Sequence, residues 1–368
     1  HEGIDINANR HDSPFMARAW AVITLSSLLL VGCQQSELAN LEPAPEEGPS
    51  EVDNSGETAS VPEEQNKPAW EYGPVVLSSD DLNFYPVDVE AIALTDGTIR
   101  LWADGIGEQE IRTFTSADGL KFVEEDVDPI VGQFPSVVAL ADGGYRMYVT
   151  RVFDGFDPDV HVTNRTRVFS LYSDDGLSWV EEPGERAIGY ESSAVLLEDG
   201  RTLMAVRRDS AEVPDPNWCN SPEVTAIWFA VSDDGLTFSD VGEVVDGVKN
   251  PELEGRAFGV EFGRLPDGQL VVHYEGCLPA YFAPVDEGSL TTGTPEVSPL
   301  RGQAVYDEYG FAENIGGAGG DITLLTVNGE LKGYISLRDG ADSMMSGPGN
   351  DGIDVRQRVA LVTLRPGG

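Results

Sequence analysis

Five Asp-Gly or Asn-Gly turns recur along this chain, at Asp96-Gly97, Asp142-Gly143, Asp199-Gly200, Asp267-Gly268 and Asn328-Gly329. An apolar run leads into each (AIAL, SVVAL, SAVLL, EFGRL and ITLLTV), and a second strand-like run follows. Self-similarity at this period, with strands and turns in every unit, is the signature of a β-propeller. The repeat gives each residue an address. Eight residues before the turns stand Asp88, Phe134, Glu191, Gly259 and Gly320. That position opens the innermost strand of each blade, at the mouth of the central channel. Two of its occupants are carboxylates, two blades apart.

The expected fold is all-β, a five-bladed β-propeller. A six-bladed, sialidase-like ring is the alternative and needs a blade that the sequence does not show. Blade 1 reads as strands over 88–95, 98–103, 111–116 and 121–125. Its last two are joined by Ser116-Ala117-Asp118-Gly119-Leu120. Blades 2 and 3 repeat that turn at Ser173-Asp174-Asp175-Gly176 and Ser232-Asp233-Asp234-Gly235. Asp and Gly satisfy a tight turn, and the aromatic that follows pins it to the blade. The chain stops after a third strand for blade 5, so residues 73–78 (GPVVLS) are expected to return as its outer strand. Closing the ring in this way removes an open sheet edge.

Residues 1–33 read as upstream sequence followed by a signal peptide. Met16-Ala17-Arg18 precedes an apolar run that ends in Leu30-Val31-Gly32-Cys33, a pattern that resembles bacterial lipoprotein signals and implies lipidation of Cys33. Residues 34–68 are rich in Pro, Glu and Ser and cannot bury enough apolar surface to offset their ordering entropy, so they are expected to be a disordered acidic tether. Residues 69–368 remain for the propeller. The formal net charge of −41 repels nucleic acid and anionic headgroups. The expected setting is the cell envelope, at the outer membrane or cell surface and outside the cytoplasm, with the lipid as the only membrane contact and the protein a monomer. Disulfides persist in such a compartment, and Cys219 and Cys277 lie in rim loops of adjacent blades, so they are expected to pair.

The segments Asp88-Val-Glu-Ala-Ile-Ala-Leu-Thr-Asp-Gly and Phe134-Pro-Ser-Val-Val-Ala-Leu-Ala-Asp-Gly-Gly-Tyr-Arg-Met-Tyr resemble blades of the arabinanase- and fructosidase-like five-bladed glycosidases. The Ser-x-Asp-Gly turns resemble the Asp-box hairpins of sialidases as well. The first resemblance implies a carbohydrate ligand and a catalytic pair at Asp88 (base or nucleophile) and Glu191 (acid). It also implies a second Asp in blade 2, where this chain has Phe134. Two carboxylates flanking the scissile bond are what glycoside hydrolysis needs. The alternatives are a non-catalytic glycan-binding or scaffold propeller and a sialidase-like exo-glycosidase. The sialidase reading rests on ESSAVLLEDGRTLMAVRR, with a Glu and an Arg in one blade.

With a two-residue turn at 199–200, cross-strand partners sum to 399, which sets Glu191 opposite Arg208 and turns Arg207 to the other face. Arg207, Arg208, Trp218, Tyr85, Tyr190 and Asp321 are the expected substrate-binding residues. His161 and His273 have no companions at zinc-site spacing, and no cofactor is expected. Asp154, Asp157 and Asp159 form a short acidic loop that is a weak candidate for calcium, with a solvated turn the plainer reading.

Overall fold

A computed structural model describes residues 69–105, 109–152, 166–209, 225–247, 249–250, 253, 257–276, 280–300, 305, 308–309, 321–327, 329–339 and 356–365. They build five antiparallel sheets, each with its first strand innermost. Blade 1 comprises Pro86–Ala93, Ile99–Gly105, Glu110–Ser116 and Val123–Glu124. Blade 2 comprises Gln133–Ala139, Tyr145–Val152, Thr166–Ser173 and Val180–Glu181. Blade 3 runs Tyr190–Leu196, Thr202–Asp209, Thr225–Ser232 and Ser239–Asp246, and blade 4 runs Phe258–Arg264, Leu270–Glu275, Ala280–Asp286 and Thr291–Thr292. Blade 5 takes Ile322–Val327, Glu330–Asp339 and Arg356–Arg365 from the end of the chain and Ala69–Ser78 from near its beginning. The outer edge of blade 5 is therefore closed by the expected strand, and the ring has five blades rather than six.

The core is a set of apolar seams between neighbouring blades. Trp102 and Ile111 of blade 1 pack on Met147 and Val149 of blade 2. Tyr148 and Val168 meet Met204 and Val206 across the next seam, and Ile227 and Phe229 meet Phe262 and Val272 across the one after. Leu101 and Phe114 close the ring against Tyr334 and Leu361 of blade 5. Each fully buried side chain of this size contributes about 1.5–3 kcal/mol, so the seams rather than any single blade hold the ring.

The Ser-x-Asp-Gly turns staple those seams. In each, the Asp accepts two backbone N–H bonds, as Asp234 does from Leu236 and Thr237 at 2.8 Å each, and the Ser hydroxyl donates to the same carboxylate. The turn then docks on the second strand of the preceding blade. Tyr334 Oη donates to Gly119 O at 3.1 Å, Arg100 Nη1 to Asp175 O, and Arg146 Nη1 to Asp234 O at 2.8 Å. Tyr148 Oη adds a 2.9 Å bond to Gly235 O.

The Asp-Gly hairpins of blades 1 to 4 differ from the expected two-residue turns. Leu197 N donates to Arg201 O and Gly200 N to Leu197 O, which makes a three-residue loop, and the same pair of bonds recurs at Leu94, Leu140 and Leu265. The glycines have φ between 87° and 95°, the left-handed conformation that such a loop requires and Gly adopts without a Cβ penalty. In blade 5, Val327 pairs directly with Glu330, so that unit is one residue shorter.

Candidate active site

The address eight residues before the turn proves to be a special backbone position. Asp88, Phe134, Glu191 and Gly259 have φ of 47°, 52°, 48° and 57°. Each interrupts the pairing of the inner with the second strand, between Val87 and Val89, Gln133 and Ser136, Tyr190 and Ser192, and Phe258 and Glu261. These are β-bulges, which re-aim a side chain where regular alternation would not point it. A left-handed conformation costs a residue with a Cβ on the order of 1–2 kcal/mol. Three such residues at one end of one channel mark a place where position outweighs strain.

All four bulge residues line one well with Val89, Pro135, Ser192, Val260, Glu261, Asp321 and Ile322. Blade 5 is represented there by Asp321, as its shorter turn requires; Gly320 lies outside the described residues. Carboxyl groups thus reach the well from blades 1, 3, 4 and 5. The well itself holds about 30 Å³, room for two or three waters, so a larger ligand would sit over it with only an edge inside. Among the described residues no three His, Cys, Asp or Glu side chains gather closely enough to hold a metal ion.

Glu191 is tightly held. Arg207 Nη1 donates to its Oε1 at 2.7 Å, and Gly259 N of the next blade donates to its Oε2 at 2.8 Å. The guanidinium of Arg207 is itself buried between the rings of Tyr190 and Phe258. The expected partner, Arg208, is elsewhere: it forms a two-point ion pair with Asp240, donates to Ile188 O and covers Trp228. The correction follows from the bulge and the longer turn, which together bring Tyr190 opposite Arg207 and put the Arg207 side chain on the channel side. Gly259 has its own reason to be glycine, because a Cβ there would lie 2.8 Å from Cδ of buried Glu275.

Phe134 occupies the place where the resemblance calls for an Asp. Its ring meets Tyr190 edge-on at 4.6 Å, and its N–H donates to Asp104 Oδ2 at 3.0 Å. Burial, and then the nearby Glu191 and Asp88 carboxylates, push the Tyr190 hydroxyl well above its ordinary value. Tyr190 therefore backs the wall of the well rather than lining it, and Tyr85 is not among the lining residues either. Trp218, Cys33, Cys219, Cys277, Asp154, Asp157, Asp159 and His161 lie outside the described residues.

A second layer lies two residues further along the inner strands, and sequence reasoning passed over it. It consists of Glu90, Ser136, Ser193, Glu261 and Thr323. Thr323, Ser136 and Ser193 each accept a bond from the N–H of Ala91, Ala194 and Phe262 respectively, at 2.9–3.1 Å, on the following blade. Glu90 takes the N–H of Val137 in the same manner. The layer is thus a polar belt that ties blade to blade. Glu90 and Glu261 also hydrogen-bond each other across the channel, and Ser193 supports Glu261. Burial pushes Glu90 up to about 8, and burial with the facing Glu90 pushes Glu261 well above the carboxylate range. The signal for this pair was present in the sequence, six residues before the turns at 96–97 and 267–268.

No family model matches the sequence, and no curated protein matches it. Solved structures do. A thermostable family-43 glycoside hydrolase superposes with a TM-score of 0.52 at 14% identity, over 79% of this chain and 92% of that one. The fold is shared with glycoside hydrolases. A second, Zg3597, a family 117 glycoside hydrolase of the marine bacterium Zobellia galactanivorans, gives 0.51 at 12% identity over 82% of this chain and 91% of its own. A protein of unknown function from Dyadobacter fermentans gives 0.51 at 16%, over 81% and 99%. At these identities the likeness is one of fold.

Proposed function

We propose that the well is the active site of a glycoside hydrolase acting on neutral sugars. The observation that carries this reading is the convergence of Asp88, Glu191, Glu261 and Asp321 on one well at the channel mouth, two of them, Asp88 and Glu191, standing on strained bulges. The propeller fold shared with family-43 and family-117 glycoside hydrolases supports it. Asp88 is assigned the carboxylate role at the anomeric carbon or its attacking water. Glu191 is assigned a positioning role, since Arg207 and Gly259 N already engage both of its oxygens. A well lined by carboxylates, with its arginine committed to Glu191, disfavours uronates and sialates, whose own charge would be repelled.

The test is a panel of neutral pentosides and hexosides run beside uronides and sialosides on the mature protein. Asp88→Asn is the informative variant, because Asn tolerates a left-handed backbone as Asp does. Turnover of a neutral glycoside should fall by about 10²–10⁴-fold with the melting temperature unchanged. Binding without turnover in the wild type would favour a non-catalytic glycan-binding propeller, the reading that Phe134 supports. The setting is part of the proposal: lipidation at Cys33 outside the cytoplasm predicts that Cys33→Ser yields unprocessed precursor and no membrane-associated mature form, and an unchanged fractionation pattern overturns it.

A further inference from the structure

Hydrolysis at this well needs a proton for the leaving oxygen, and the residue that the family resemblance assigns to that task is poorly placed to give one. Glu191 receives a guanidinium N–H on one oxygen and a backbone N–H on the other. Both contacts are donors, and a carboxyl oxygen that accepts from a donor has no call for a proton of its own. Glu261 is in the opposite situation. Its partner across the channel is a second carboxyl, that of Glu90. Two carboxylates have no donor between them and repel, so a hydrogen bond between carboxyls contains a proton.

The surroundings fix where that proton resides. Glu90 is buried and already accepts from Val137 N and Thr323 Oγ1. Glu261 is only half-buried and lines the well beside Asp88, Glu191 and Asp321. The other inner-belt positions, Ser136, Ser193 and Thr323, bond to the next blade with hydroxyls alone. A carboxyl is therefore not required for the belt, and blades 1 and 4 carry one each. Position 259, directly above on the same strand, has no side chain to cover Glu261.

Resting on the hydrolase reading, we propose that Glu261 is the proton donor of this site, with Glu90 the positioning residue that keeps it protonated. Glu261 passes its proton to the glycosidic oxygen as the bond from that oxygen to the anomeric carbon breaks, its electron pair leaving on oxygen. Over the cycle one water is split: its hydroxyl goes to the anomeric carbon and its proton restores Glu261. The assignment gives the Glu90–Glu261 pair the raised proton affinity that a general acid needs near neutral pH.

The experiment compares two substrates of one neutral sugar, an alkyl glycoside that needs leaving-group protonation and a dinitrophenyl glycoside that does not. The isosteric Glu261→Gln should cut turnover of the alkyl glycoside by about 10²–10⁴-fold and that of the dinitrophenyl glycoside only a few-fold. A merely structural role would lower both alike, and that result, or full activity on both, overturns the proposal. Glu90→Gln removes the facing charge and should move the basic limb of the pH–rate profile to lower pH, whereas an unmoved limb counts against the pair. Infrared difference spectra of the wild type at neutral pH should contain a protonated-carboxyl band that Glu261→Gln abolishes, and absence of that band in the wild type also overturns the assignment. If the wild type turns over neither substrate, the hydrolase reading fails and the donor role falls with it, even where the infrared band marks a shared proton. If the wild type is active and Glu261→Gln is indifferent to leaving group, only the donor assignment fails.

Discussion

The outer hairpins and the channel mouth treat the same kind of side chain in opposite ways. In the hairpins, Asp118, Asp175 and Asp234 each accept backbone N–H bonds within their turns. Those bonds hold the carboxyls below their ordinary value, Asp234 down to about 2. At the mouth, Glu90 is buried, Glu261 faces it from the wall of the well, and both are pushed up. Hydrogen-bond donors stabilise an ionised carboxylate, while desolvation and a like charge penalise it. The hairpins repeat almost unchanged in three blades because their work, joining one blade to the next, is the same each time. The mouth does not repeat: the bulge position carries Asp, Phe, Glu and Gly in turn. Repetition in this sequence therefore marks architecture, and departure from it marks chemistry.

The contrast can be broken most sharply at neighbouring arginines. Arg207→Met leaves Glu191 buried without its guanidinium and should cost about 3–5 kcal/mol, read from urea unfolding. A loss below 1 kcal/mol would show that the mouth is not the constrained region. Next is the pH dependence of stability. Because the coupled Glu90–Glu261 pair is pushed up from the ordinary 4.5, to about 8 at Glu90, the native pair acts as one group that keeps a proton the unfolded chain has released. Stability from this group is complete at acid pH and is lost progressively as pH rises from about 4.5 to about 8. The melting temperature should decline over that window, and Glu90→Gln should flatten the decline. A wild-type profile that rises with pH across the window would contradict the pairing.

Smaller effects belong to the hairpins and the outer surface. Tyr148→Phe removes one buried bond to Gly235 O and should cost about 1 kcal/mol in chemical denaturation, with glycoside turnover unaffected. Altered turnover would mean that the staple and the mouth are coupled. Arg208→Met, which removes an ion pair whose Asp240 side chain is 57% exposed, should cost under about 1 kcal/mol and become undetectable in high salt. The expected ratio between Arg207 and Arg208 is the most economical check on the register of blade 3.

Much of the fold was legible because its signals are local. Asp-Gly turns, period-two apolar runs and the Ser-x-Asp-Gly hairpins depend on residues within a few positions of one another. They yield five blades, their order and the return of the segment before Asp88 to close blade 5. The address of the mouth was legible too, since counting back from a turn needs no tertiary knowledge. What that address does was not. A bulge depends on how two strands meet, and counting as though pairing were regular set Glu191 against Arg208 instead of Arg207. One residue of slip exchanges the two faces of a strand. The shorter blade 5 turn likewise sets Asp321 at the mouth, one residue beyond the counted address.

The Glu90–Glu261 contact shows the boundary most plainly. Each residue sits at a readable place in its own repeat, but one belongs to blade 1 and the other to blade 4. By itself the sequence determined the repeat, the turn chemistry and the strand faces, because these follow from short-range sterics and hydrogen bonding. Only ring closure brought carboxyls from separate blades into one desolvated channel. Their shared proton, and with it the chemistry of the well, exists because burial and proximity act across space and not along the chain.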